Sequence, residues 1–104
     1  MAEAPGSERR QDRRIPFIKE VEIVGLGMRR CSDLSIGGMY IETVASFPAG
    51  AVFDVRFKLQ DTDAHPIQVQ AKVQYEHQGM GIGLGFINLS PENREKIQKF
   101  IDRQ

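Results

Sequence analysis

The 104-residue chain has no tryptophan, one cysteine, two histidines and no net charge. Each shortage excludes something. A single cysteine, Cys31, cannot build an intrachain disulfide framework, and a reducing compartment suits it. It sits in a strand-like run, where a half-buried small hydrophobe is expected rather than a reactive thiol. The two histidines, His65 and His77, have no Cys, Asp or Glu at a metal-ligand spacing, so no metal site is expected. Fourteen basic and fourteen acidic residues cancel, so no bulk field favours nucleic acid or membrane. No run approaches roughly 18 apolar residues, so no membrane-spanning helix is expected. The N-terminus lacks the apolar stretch of a signal peptide. These readings together give a cytoplasmic, soluble protein with no membrane insertion.

What is present reads as one small domain. Residues 1–14, "MAEAPGSERRQDRR", hold no hydrophobic residue beyond Met1 and two alanines. Such a segment cannot bury enough surface to offset its ordering entropy, so a flexible tail is expected. The folded part, residues 15–104, opens at Ile15 and Pro16. Alternation marks "AVFDVRFKL": Ala51, Phe53, Val55, Phe57 and Leu59 share one face, and Asp54, Arg56 and Lys58 the other. In "IQVQAKVQYEH", Ile67, Val69, Ala71, Val73 and Tyr75 alternate with Gln68, Gln70, Lys72, Gln74 and Glu76. This is the pattern of antiparallel strands with one buried face. "FIKEVEIVG", "LGMRRCSDL" and "GMYIET" read as three shorter strands. In "GMGIGLGFINL", Met80, Ile82, Leu84 and Phe86 face one way and Gly81, Gly83 and Gly85 the other. Three glycines on one face predict a bend or a close approach by another backbone. After Asn88 the period changes. Ser90 fits an N-cap, Pro91 the first helical residue and Glu92 the first turn. Ile97, Phe100 and Ile101 then form a helical apolar stripe. About six strands and one terminal helix predict a small β-barrel, because closure removes exposed edges.

Signals of catalysis are weak. Ser7, Ser32, Ser35, Ser46 and Ser90 lack a nucleophile-elbow context. "GMGIGLG" is superficially similar to a phosphate-binding loop, but it lies within a strand pattern. "DTDAHP" reads as an exposed hairpin loop. No enzyme and no cofactor is expected. Two features remain. Four arginines, Arg9, Arg10, Arg13 and Arg14, crowd the end of the tail. "DLSIGG", Asp33 to Gly38, reads as a strand-to-strand turn in which Gly37 and Gly38 supply positive φ.

Together these stretches resemble the PilZ domain family. That family joins an RxxxR near the start of the domain to a (D/N)xSxxG turn roughly twenty residues later. Arg10 to Arg14 gives RxxxR, directly before "IPF"; Arg9 to Arg13 gives a second frame. Asp33-Leu34-Ser35-Ile36-Gly37-Gly38 gives DxSxxG. The flanking "GMYI" and the ending "GIGLGFINLSPENREKIQKFI" are similar as well. The resemblance implies an all-β fold, a six-stranded antiparallel barrel with one C-terminal helix. It also implies binding of cyclic di-GMP, a bacterial second messenger, by Arg9, Arg10, Arg13, Arg14, Asp33, Ser35, Gly37 and Gly38. The chemistry suits them. Guanine offers O6 and N7 as paired acceptors that a guanidinium fork matches, and arginine planes stack on purines. Asp33 can accept from guanine N1–H and N2–H, and Ser35 can bond a base or phosphate. Gly38 lets the backbone approach closely.

The resemblance implies, further, that the residue before RxxxR influences whether one ligand or an intercalated pair is bound. Arg9 at that place predicts two ligands per chain. The output would pass to a downstream partner protein. Two alternatives come from other classes: a ligand-independent protein-interaction adaptor, and a small barrel binding RNA or single-stranded DNA. The latter wants exposed aromatic platforms, whereas Phe53, Phe57, Tyr75 and Phe86 fall on the core parity. Tyr40 is the one aromatic expected to face outward.

Overall fold

The computed structural model describes residues 13–104. The expected flexible tail, with Arg9 and Arg10, falls outside the described residues except for Arg13 and Arg14. Six strands make up most of the fold: β1 (Ile15–Ile23), β2 (Gly27–Leu34), β3 (Gly38–Glu42), β4 (Val52–Phe57), β5 (Ile67–His77) and β6 (Gly81–Ile87). They close into an antiparallel barrel in the order β1-β2-β3-β6-β5-β4. The all-β barrel read from the sequence is the architecture observed.

Alternation fills the barrel. Ile67, Val69, Ala71 and Val73 of β5 point inward, while Gln68, Gln70 and Lys72 stay in water. Val21, Ile23, Cys31, Leu34, Met39, Ile41, Val55, Ile82 and Leu84 meet them from the other strands, each at most 1% exposed. Burying a Leu, Ile or Val side chain is worth about 1.5–3 kcal/mol. The closing seam is short: Glu22 opposes Arg56 and Ile23 opposes Val55. Arg56 reinforces it from outside, donating from Nε and Nη2 to Glu22 Oε1 at 3.0 and 2.8 Å.

The helix, α1 (Pro91–Asp102), begins where the sequence places it. Ser90 Oγ accepts from Asn93 N at 3.1 Å, and Pro91 occupies the first turn. Ile97 and Ile101 are buried in the common core. Phe100 packs edge-on against Phe17, with centroids 5.7 Å apart. The helix thereby caps the barrel.

Two side-chain assignments change. The pairing of β5 with β6 slips between Val73 and Tyr75. One extra residue reverses the faces of the residues beyond it, so Tyr75 points outward and is 43% exposed. Met80 lies in the turn before β6, not on its inner face, and is exposed. Cys31 is more deeply buried than expected. Burial, with smaller contributions from neighbours, pushes its thiol from an ordinary 9.0 up to about 12.

Candidate functional site

The hairpin joining β2 to β3 has Ile36 and Gly37 at its tip. Ser35 N donates to Gly38 O at 2.8 Å, and Gly38 N returns to Ser35 O at 3.4 Å. The Ser35 side chain is drawn into the same turn. Its Oγ accepts from Gly37 N and Gly38 N, both at 3.2 Å, and faces Gly38 O at 3.3 Å. Ser35 is only 3% exposed. Phe86 N donates to Gly37 O at 2.8 Å, tying the tip to β6.

The glycines serve differently from the sequence reading. Neither Gly37 nor Gly38 has positive φ; among the described residues the left-handed glycines are Gly25, Gly27, Gly50 and Gly79. What Gly38 supplies is space. A Cβ there would collide with the backbone carbonyl of Leu84 on β6. Here the expected close approach is real, but it is between two strands of the barrel.

Arg14 and Asp33 lie beside this tip, on the outside. The β1–β2 register sets Ile15 opposite Leu34 and Pro16 opposite Asp33. That brings Arg14 to Asp33, and Arg14 Nη1 donates to Asp33 Oδ1 at 2.8 Å. Both side chains remain partly exposed, at 44% and 34%. An ion pair in such a place is worth about 0–1 kcal/mol, so either partner can exchange it for another. Arg13 donates from Nη2 to Gln104 O at 3.1 Å.

Next to Asp33 an aromatic surface begins. Tyr40 opposes Asp33 across β2–β3 and Gly83 across β3–β6. Tyr75 opposes Gly83 from the far side. Cβ atoms at Gly81 and Gly83 would strike the rings of Tyr40 and Tyr75, and one at Gly85 would strike Gln74. So Gly83 and Gly85 are covered by side chains, whereas Gly81 meets both the Ile41 backbone carbonyl and the Tyr40 ring, the close backbone approach expected of this strand. The glycines let two rings lie over the strand. The Tyr40 and Tyr75 centroids are 6.4 Å apart, and His77 lies 5.8 and 5.1 Å from them. Tyr40 Oη and His77 Nδ1 share a hydrogen bond of 3.1 Å. Partial burial, with Tyr75, Glu42 and Asp33 nearby, holds the Tyr40 hydroxyl above its ordinary pKa.

A strip therefore crosses the outer wall: guanidinium, carboxylate, then two tyrosines and an imidazole. It sets hydrogen-bond donors and acceptors beside aromatic faces that can stack on a flat ring. Sequence parity missed Tyr75 and His77 as members. The glycine triplet beside them was the available signal, because glycines on an outer face leave room for rings. Among the described residues, no three His, Cys, Asp or Glu are grouped to hold a metal. No helix among them is long and apolar enough to cross a membrane.

Comparison with known proteins bears on the fold and the family. The chain resembles the Bacillus subtilis inhibitor of motility MotI/DgrA, with TM-score 0.75, 15% identity, and coverage of 86% of this chain and 47% of that one. It also resembles Escherichia coli YcgR, whose structure is a complex with c-di-GMP: TM-score 0.66, 20% identity, coverage 88% and 43%. A third likeness is to the PilZ domain of CeSA from a cellulose-synthesizing bacterium, with TM-score 0.58, 19% identity, and coverage 88% and 96%. The chain thus spans less than half the length of the first two. At these identities the likeness is one of fold. In a comparison with curated proteins nothing matches. The family model described as the PilZ domain, however, matches residues 8–103, both motif stretches included. The chain belongs to the PilZ domain family.

Proposed function

We propose that this chain is a receptor for cyclic di-GMP that works by binding rather than by catalysis. One observation carries the reading. Arg14 and Asp33, from the two motifs and 19 positions apart, meet at 2.8 Å on the barrel surface as an exchangeable pair. The Arg14 fork matches guanine O6 and N7, and the Asp33 carboxylate matches guanine N1–H and N2–H. Tyr40 and Tyr75 offer stacking surfaces alongside. Ser35, Gly37 and Gly38 hold the turn that presents Asp33. Arg9, Arg10 and Arg13 bring further positive charge to two phosphodiesters.

In this reading the arginine-rich segment closes over the ligand and the composite surface is read by a partner protein. With Arg9 before RxxxR, two intercalated ligands bind per chain, the arginines offsetting the repulsion of their phosphates. Arg9→Leu should lower the ratio toward one.

The outward-facing tyrosines, Tyr75 exposed and Tyr40 half-buried, also favour a second reading, a short single-stranded nucleic acid stacked on the barrel. Competition separates the two. Tyrosine fluorescence should respond to cyclic di-GMP and be far less sensitive to cyclic di-AMP, whose adenine lacks the O6 acceptor. Oligonucleotide should not displace the ligand. Equal response to both dinucleotides would overturn guanine recognition, and displacement by oligonucleotide would favour the second reading.

A further inference from the structure

A second recess lies on a different part of the molecule, between α1 and the loop joining β4 to β5. Its volume is about 380 Å³. Leu59, Ile67 and Phe100 contribute its apolar lining, and the first two are buried in the core. Lys96, Lys99 and Arg103 line it from the helix and its C-cap, and His65 from the loop. The first three are spaced i, i+3, i+7, so they share one face.

The charges at this recess are unequal. Asp63, the one acidic residue lining it, accepts the Gln60 N–H at 3.1 Å and sets one negative charge against three basic side chains. Lys96 and Lys99 pair with Glu92 and Glu95 at 3.7 and 3.3 Å, but all four side chains are more than half exposed. Such helix pairs are worth about 0.3–0.5 kcal/mol and give way readily to a better partner. Arg103 has no carboxylate partner among the described residues. Basic residues near a helix C-terminus are common because they offset its dipole. That alone does not account for their convergence on an apolar recess.

We infer that this recess is a docking surface for an acidic peptide segment of a partner protein, one that inserts a branched or aromatic side chain between Leu59, Ile67 and Phe100. Lys96, Lys99, Arg103 and His65 then face the flanking carboxylates. A nucleic acid fits less well. Its phosphates would meet the cations, but nothing in a phosphodiester backbone uses the apolar lining. The inference stands apart from the cyclic di-GMP reading, since it uses none of the residues of the Arg14–Asp33 strip.

The test uses the whole chain without cyclic di-GMP. Fluorescein-labelled peptides of alternating acidic and Leu/Phe residues are titrated by anisotropy, with amide shifts followed by NMR. Controls replace the apolar residues by Ser, or the acids by Lys; oligothymidylate serves as a plain polyanion. The acidic–apolar peptide alone should bind saturably, with shifts centred on Leu59, Ala64, Ile67 and Phe100. Lys99→Gln combined with Arg103→Gln should weaken binding about tenfold while the thermal midpoint moves little. No saturable binding, equal binding of the Lys peptide or of oligothymidylate, or shifts gathered at Tyr40 and Tyr75 would overturn the inference.

Discussion

Asp33 and Ser35 stand two residues apart in one motif, yet the fold treats them in opposite ways. Ser35 is 3% exposed and its hydroxyl is engaged within the hairpin tip. Gly38 lies against the β6 backbone with no room for a Cβ. Asp33, by contrast, faces out, and its bond is to Arg14, another partly exposed side chain. One half of the motif is locked into the barrel, and the other half can exchange partners. The difference separates building from reading: substitutions in the locked half should first cost stability, and those in the exchangeable half should first cost ligand.

The hardest blow to this division is Gly38→Val. The new side chain would force β3 and β6 apart, and a loss of about 3 kcal/mol or more, or failure to fold, is expected. Circular dichroism melts report it. A variant that melts normally and only loses ligand would place Gly38 on the reading side.

Arg14→Ala comes next. Affinity for cyclic di-GMP should fall by about 30- to 150-fold, roughly 2–3 kcal/mol. Stability should change by less than about 1 kcal/mol. Arg10→Ala should cost similar affinity, and lysine at either place should restore only part of it, lacking the planar fork. Unchanged affinity in both alanine variants would remove the arginines from the site.

Ser35→Ala should then cost about 1–3 kcal/mol of stability, because it leaves the Gly37 and Gly38 N–H groups without the hydroxyl. Chemical denaturation gives the value. An unchanged midpoint with lost binding would mean that the hydroxyl leaves the turn to meet the ligand.

An effect confined to alkaline pH belongs to Cys31, which donates to Asp33 O at 3.1 Å from inside the barrel. Its thiol titrates near 9.0 when unfolded and near 12 when folded. The folded state therefore keeps a proton that the unfolded state gives up. Stability from this group is complete below pH 9.0 and falls as pH rises toward about 12. Native protein at pH 8 should resist iodoacetamide, and rapid alkylation there would show that the inner side of the motif opens.

Much of this was legible in the chain itself. Alternation in β4 and β5, the Ser90-Pro91 helix start and the Ile97/Ile101 stripe each arise from local chemistry. The pairing of Arg14 with Asp33 depends on β1–β2 register, which the hairpin constrains. Tyr75 was not legible, because its direction is set by a slip against β6 that one strand's alternation does not reveal. Gly38 was read only in part for a related reason: its close approach is to the Leu84 carbonyl, 46 positions away in the chain, not a positive φ. The recess beside α1 depends on how the helix lies against a loop, and no periodicity encodes that.

Calorimetric titration of cyclic di-GMP into the unaltered chain and into Asp33→Ala, with thermal unfolding recorded for both, tests the division most directly. The account predicts saturable binding at two ligands per chain for the unaltered protein. It predicts clearly weaker binding for Asp33→Ala, with nearly the same thermal midpoint. No binding to the unaltered chain would contradict the receptor reading. A large loss of stability in Asp33→Ala, with affinity intact per folded molecule, would show that Asp33 builds the barrel instead of reading a ligand.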